Sequence, residues 1–383
     1  MKPFFLIILL IFALKSAAQF SIITNGESQS VGAVEYDSVT NTVIFEASKD
    51  SLNTTKVWFN FGITGFRRDT VLSIRAFFDN KFHAPTYPVY HCGNGNWSRV
   101  KNVEPGRNFK VIISAISDTV FIASGYPYSL KNFNDFITKH HQSDYFPQID
   151  TITVSKLGYP ITMLTFSPKR TNKRTKLIWI ICRQHAFEST ASWVLEGMLG
   201  SLLDDKSIKK VHKKYIFKVV PFVDIDNVQL GQTGRMSKPK DYNRDWNSPI
   251  HHEIKAVEDE IFKSAKLYNY YMFWDVHGTF PGGELRNNFS YFDIYNYGEK
   301  SRRLKNYWSE FYKFCYYHPI PVPDSKKSYE GLTADWWNEI HFPDLEFVTT
   351  LEIDWTINPR NGFYTPEDFY EIGQNMIRAL KKY

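Results

Sequence analysis

Four apolar runs constrain this chain more than any other feature. Leu177-Ile178-Trp179-Ile180-Ile181-Cys182 is almost wholly apolar, and residues 216–223 are broken only by Lys218 and Pro221. Tyr270-Tyr271-Met272-Phe273-Trp274 is a third run, and residues 347–353 are a fourth. A strand with one wet face alternates apolar and polar residues, whereas a continuous apolar run belongs to a strand covered on both faces. Helical stretches fall between the runs, around residues 190–203 and 253–268. Strands alternating with helices predict an α/β domain built on a mixed, largely parallel sheet flanked by helices.

The chain ahead of this pattern reads differently. Within residues 20–122, Val43-Ile44-Phe45, Val57-Trp58-Phe59-Asn60-Phe61 and Val71-Leu72-Ser73-Ile74-Arg75-Ala76-Phe77 are rich in branched and aromatic residues. Turn formers separate them: Gly62, Asp79-Asn80 and Gly93-Asn94-Gly95. Short strands at this spacing predict a small all-β sandwich. A helix over residues 128–140 then opens the second part. At the far end Thr365 is placed to cap a last helix, with Pro366 in its first turn and Asp368 completing a capping box. Lys381 and Lys382 lie where a helix dipole favours cations.

The first residues have the order of a secretory signal peptide: Lys2, an apolar run over residues 4–14, then Ser16-Ala17-Ala18. Eleven apolar residues are too few to cross a hydrocarbon core about 30 Å thick. Cleavage is expected after Ala18, so the chain divides into residues 1–18 (signal), 19–125 (β-sandwich) and 126–383 (α/β). A secreted or periplasmic location is expected, with no stable membrane anchor after cleavage. The 46 Lys and Arg against 40 Asp and Glu are spread thinly rather than gathered into a patch, so no nucleic-acid partner is expected. Cys92, Cys182 and Cys315 are too few for a disulfide scaffold in 383 residues, and none sits in a recognisably reactive setting.

Four short segments carry chemistry. His185-Ala186-Phe187-Glu188 follows the first apolar run and precedes a helix, the position where α/β sheets place their sites. A His and a Glu three apart can turn toward one metal ion, although the pattern is common by chance on a surface helix start. Asp275-Val276-His277-Gly278 puts a second histidine at another strand end. Two His and one Glu form a catalytic zinc ligand set with a position left for water. Asp241-Tyr242-Asn243-Arg244 offers a guanidinium fork for a carboxylate, an amide donor beside it, and an Asp able to fix a ligand histidine. The same segment would serve equally as a solvated turn. Thr350-Leu351-Glu352-Ile353 places a carboxylate in an apolar strand, which is costly unless it is paired or functional.

In this order, His-x-x-Glu, Asp-x-Asn-Arg, His-Gly and a late Leu-Glu, the residues resemble the zinc carboxypeptidase family, over most of the chain from about Pro127 onward. The N-terminal β-region is similar to the branch related to cytosolic carboxypeptidases, which has secreted bacterial members. The resemblance implies one Zn2+ held by His185, Glu188 and His277, with Asp241 supporting a ligand histidine. It implies Glu352 as catalytic base and then acid, and Arg235 facing the oxyanion. Asn243 and Arg244 would hold the free terminal carboxylate of a peptide substrate, and Tyr329, in Ser328-Tyr329-Glu330-Gly331, would be the mobile substrate-binding tyrosine. Where the family often has Asn-Pro-Asp-Gly, this chain has Asp224-Ile225-Asp226-Asn227; an Asn227 in left-handed backbone would preserve that turn. Amidohydrolase or deacylase activity, cleavage of cell-wall stem peptides, and a non-catalytic binding module are the alternatives on the same scaffold.

Overall fold

The computed structural model describes residues 20–47, 57–66, 69–77, 87–101, 103, 108–279, 298–311, 313, 333–355 and 362–383. Its first part is all β. One sheet runs, in spatial order, β1 (Ser21–Ile23), β4 (Asn60–Thr64), β9 (Thr119–Ala123), β6 (Val89–Cys92) and β7 (Ser98–Arg99). The other runs β2 (Val34–Asp37), β3 (Thr42–Glu46), β5 (Thr70–Phe77) and β8 (Asn108–Ala115). Phe61, Ile63 and Ile122 from the first sheet share one apolar core with Val43, Phe45, Leu72 and Ile74 from the second.

Two local expectations fail here. The strand predicted from Val57 begins only at Asn60, and Gly62, read as a turn, lies inside it. Gly62 faces Phe121 across β4 and β9, and a Cβ on it would come 2.6 Å from the Phe121 ring. The glycine makes room for a neighbouring side chain rather than for a bend.

The second part contains α1 (Leu130–Lys139), β10 (Gln148–Val154), β11 (Pro160–Phe166), β12 (Lys176–Cys182), α2 (Ser189–Asp204), α3 (Lys209–Lys214), β13 (Tyr215–Val220) and α4 (Ile225–Gln229). It continues through α5 (His252–Leu267), β14 (Asn269–Gly278), α6 (Gly298–Phe311), α7 (Ala334–His341), β15 (Phe347–Ile353) and α8 (Pro366–Ala379). The sheet order is β10-β11-β13-β12-β14-β15. The four apolar runs are β12, β13, β14 and β15, and they pair parallel. β10 and β11 add an antiparallel edge. The 224–227 segment is corrected: Asn227 is helical within α4, and Asp224 caps it by accepting from the Asn227 backbone N–H at 3.4 Å.

Two features set the geometry at the ends of β12 and β14. These parallel neighbours both end on the same side, with Cys182 level with Val276. Helix α2, which begins directly after Glu188, is fixed by close packing on α8. A Cβ on Gly373 would overlap the Val194 carbonyl oxygen, and one on Gly197 would overlap the Tyr370 carbonyl oxygen. Helix α8 begins with the expected capping box between Thr365 and Asp368. Residues 1–19, including the expected signal peptide, lie outside the described residues, as do Cys315 and Tyr329. Among the described residues no helix is long and apolar enough to cross a membrane.

Candidate active site

The structure brings His185, Glu188 and His277 together. One ligand atom from each lies within 4.8 Å of the others, and all three residues are buried. His185 Nδ1 is 2.9 Å from Glu188 Oε1, and His277 Nδ1 is 2.8 Å from Glu188 Oε2. Each imidazole is held at its other nitrogen by a carboxylate: His185 Nε2 is 3.1 Å from Asp241 Oδ1, and His277 Nε2 is 2.9 Å from Asp275 Oδ2. A carboxylate at Nε2 places the proton there and leaves the Nδ1 lone pair for a metal. Two imidazole nitrogens and a carboxylate oxygen are the donors a catalytic zinc ion takes, and the residues present fit it.

The electrostatics of these groups point the same way. Burial pushes the His185 pKa down, but the Asp241 and Glu188 carboxylates outweigh it and raise it to about 9. Burial likewise opposes a charged His277, and Asp275 with Glu188 drives it well above its ordinary value. Burial raises Glu188, yet His277 and His185 bring it down to about 2. Three carboxylates around two imidazoles form a buried pocket of negative charge that a divalent cation satisfies better than two protons do.

Asp241 does more than hold His185. Its Oδ2 accepts from the Met236 backbone N–H at 2.7 Å, and its Oδ1 from that of Asn243 at 2.8 Å. One carboxylate thereby ties the loop bearing Arg235 and the segment bearing Asn243 and Arg244 to a metal-site histidine. Arg235 and Arg244 are half-buried, and Arg244 Nη1 donates to the Asn243 carbonyl at 2.6 Å. The Asn243 side-chain oxygen accepts from the Ala334 N–H at 3.0 Å, which fixes which end of the amide is which. Its Nδ2 lies 3.3 Å from His277 Nε2, whose proton already goes to Asp275. That contact sets donor against donor, so the Asn243 amide hydrogens are left for another acceptor.

Glu352 is half-buried, and its strand register places it opposite His277 on β14. Residues paired across two strands share a sheet face about 4.8 Å apart. The one described cysteine in this neighbourhood, Cys182, is fully buried, and burial pushes its thiol up to about 12, so it is no nucleophile.

Three groups were not anticipated from the sequence. Asp275 holds His277. Gln184 donates to Asp275 Oδ2 at 2.6 Å and accepts from Trp246 Nε1 at 2.8 Å, which extends the chain of bonds to a buried indole. Asp275 was findable: it stands two residues before His277 on a strand, so both side chains face one side. Gln184 and Trp246 carried no such signal.

The family model described as zinc carboxypeptidase matches residues 137–307. Cytosolic carboxypeptidase 6 of Homo sapiens is 24% identical over 281 residues, covering 65% of this chain and 54% of that protein. Cytosolic carboxypeptidase 3 of Mus musculus is 25% identical over 171 residues, covering 42% of this chain. The chain spans 17% of the length of that mouse relative and about half of the human one. The metallo-carboxypeptidase of Burkholderia cenocepacia has the same fold, with a TM-score of 0.81 at 20% identity over 94% of this chain and 98% of that one. The Pseudomonas aeruginosa metallo-carboxypeptidase, solved with (2-guanidinoethylmercapto)succinic acid, aligns with a TM-score of 0.78 at 19% identity over 94% and 98% of the two chains.

Proposed function

We propose that this chain, whose residues 137–307 match the zinc carboxypeptidase family model, hydrolyses the C-terminal peptide bond of peptides. The observation that carries the reading is the buried His185, Glu188 and His277 set with Glu352 in register beside His277. Zinc held there would lower the pKa of a bound water toward ~7 and polarise a carbonyl. Glu352 takes the proton of the attacking water and returns it to the leaving amine. Arg235 faces the charge that develops on the carbonyl oxygen. Arg244 supplies a fork, and Asn243 its uncommitted amide hydrogens, for a carboxylate that exists only at a chain end.

We assign the β-region to residues 19–125 and the catalytic region to 126–383; one apolar core lies wholly in the β-region, and the other is built mainly from residues after 125, with Val89 and Ala123 packed into it. Residues 1–18 are assigned as a signal peptide that directs secretion. Tyr329 stays in this reading as the substrate-binding tyrosine, on its place in the Ser328-Tyr329-Glu330-Gly331 segment.

The test is a panel of N-blocked peptides ending in acidic, basic, aliphatic and aromatic residues, with a stem peptide and an N-acyl amino acid, given to zinc-loaded mature protein and to Glu352→Gln. Release of the last residue by the parent and a loss of ~10³-fold or more in the variant are expected. A variant as fast as the parent removes Glu352 from the chemistry. Cleavage of the acyl amino acid alone moves the reading to a deacylase.

A further inference from the structure

Glu352 is the last residue but one of β15, which among the described residues pairs with β14. The end of an element frays more readily than its middle. A general base must nevertheless stay within a few tenths of an ångström of its working position. The chain just past Glu352 meets a second restraint, and it comes from the β-region. Arg99, on β7, donates from Nη2 to the Trp355 carbonyl at 2.9 Å and from Nη1 to the Tyr87 carbonyl at 2.7 Å. Its guanidinium lies 4.8 Å from the centre of the Tyr126 ring, and only 7% of the residue is exposed. Besides these two main-chain carbonyls, the buried cation interacts with the Tyr126 hydroxyl and the Asp354 carboxylate, and it holds the segment well because charged donors make the stronger hydrogen bonds.

The Trp355 side chain is clamped from the same side. Its ring meets Trp58 of the β-region edge-on at 6.3 Å, and stacks on Phe187, which lies between the metal-site residues His185 and Glu188, at 5.8 Å. Val57, Trp58, Phe187 and Trp355 form a small buried cluster of their own. Gly125, at the junction of the two parts, has no room for a Cβ against the Trp355 ring. One residue thus connects the end of the Glu352 strand, the metal-site loop and the β-region.

We propose that Arg99 is a positioning residue for Glu352: it fixes the main chain three residues beyond the base, so that the β-region sets part of the reactive geometry. The proposal rests on the reading of Glu352 as general base. It acts through the backbone, and Arg99 itself touches no reacting atom.

Arg99→Gln and Arg99→Lys in the full mature chain test it, with Leu72→Ala as a control that loosens the β-region core away from Trp355. Hydrogen exchange is read on peptides covering residues 350–355 and on a peptide from β14. In Arg99→Gln the 350–355 amides are expected to exchange at least tenfold faster while β14 is unchanged. On the best substrate of the peptide panel, kcat falls at least tenfold, KM stays within twofold, and one zinc per chain is retained. Arg99→Lys, which keeps the charge but cannot fork across two carbonyls, falls between. Leu72→Ala melts lower and keeps its kcat. If the 350–355 amides exchange as in the parent, or if they loosen and kcat stays within twofold, the positioning role is overturned. Should Arg99→Gln not fold, Arg99→Lys is judged by the same two criteria. A parent inactive on every peptide would sink the carboxypeptidase reading, and the exchange data would still decide whether Arg99 fixes this segment.

Discussion

Removing the metal should make the stability of this protein fall with rising pH, in a window set by the metal-site histidines. An imidazole in the unfolded chain titrates near 6.5, while His185 in the metal-free fold is raised to about 9. A raised value means that the folded form binds the proton more tightly. The stabilisation is therefore complete below pH 6.5 and is lost as pH rises through about 9. From 6.5 to about 9, at about 1.4 kcal/mol for each tenfold in proton affinity, the loss is about 3 kcal/mol. His277, raised well above its ordinary value by Asp275 and Glu188 against burial, adds to the loss in the same direction. At about 2–4 °C per kcal/mol for a unit of this size, the melting point of the metal-free protein should drop by roughly 6–12 °C between pH 6.5 and 9. Zinc-loaded protein holds both imidazoles neutral throughout, so it should lack this slope and its advantage over the metal-free form should widen with pH. Melting curves of chelator-treated and zinc-loaded protein at four values across the window measure this. A metal-free melting point that stays level or climbs over that range would refute the argument, because it would mean that the carboxylates do not hold protons on the histidines.

Single contacts carry the other expected outcomes. Asp275→Asn keeps the shape beside His277 but removes the charge on its Nε2, and zinc affinity should weaken ~10- to 100-fold in chelator competition; an affinity within twofold of the parent would show that Asp275 does not orient the ligand. Gly373→Ala sets a methyl against the Val194 carbonyl where α8 meets α2. It should cost about 1–3 kcal/mol by urea denaturation, as overpacking does; an unchanged midpoint would mean that the two helices can part.

The parallel sheet was legible in the order of residues because burial on both faces leaves a run of apolar side chains, and the all-β region because short branched and aromatic segments alternate with turn formers. The capping box at Thr365 and the approximate ends of α2 and α5 were legible for an equally local reason. Gly62 and Asn227 were misread, since a glycine wanted for space and an asparagine wanted for a helix look the same in a sequence as turn formers. The histidines and Glu188 could be named from spacing and strand ends. The electrostatic partners could be named only in part: Asp241 lies in a segment with its own motif and Asp275 stands two residues before His277, while Gln184 and Trp246 join them through bonds that no spacing announces. What only the tertiary structure decided is the link between the two parts. Arg99 and Trp355 are 256 positions apart, and Trp58 and Phe187 meet across the same boundary. Local propensity and periodicity act over a few residues, and they cannot reach across a fold that brings the end of one strand onto the side of another sheet.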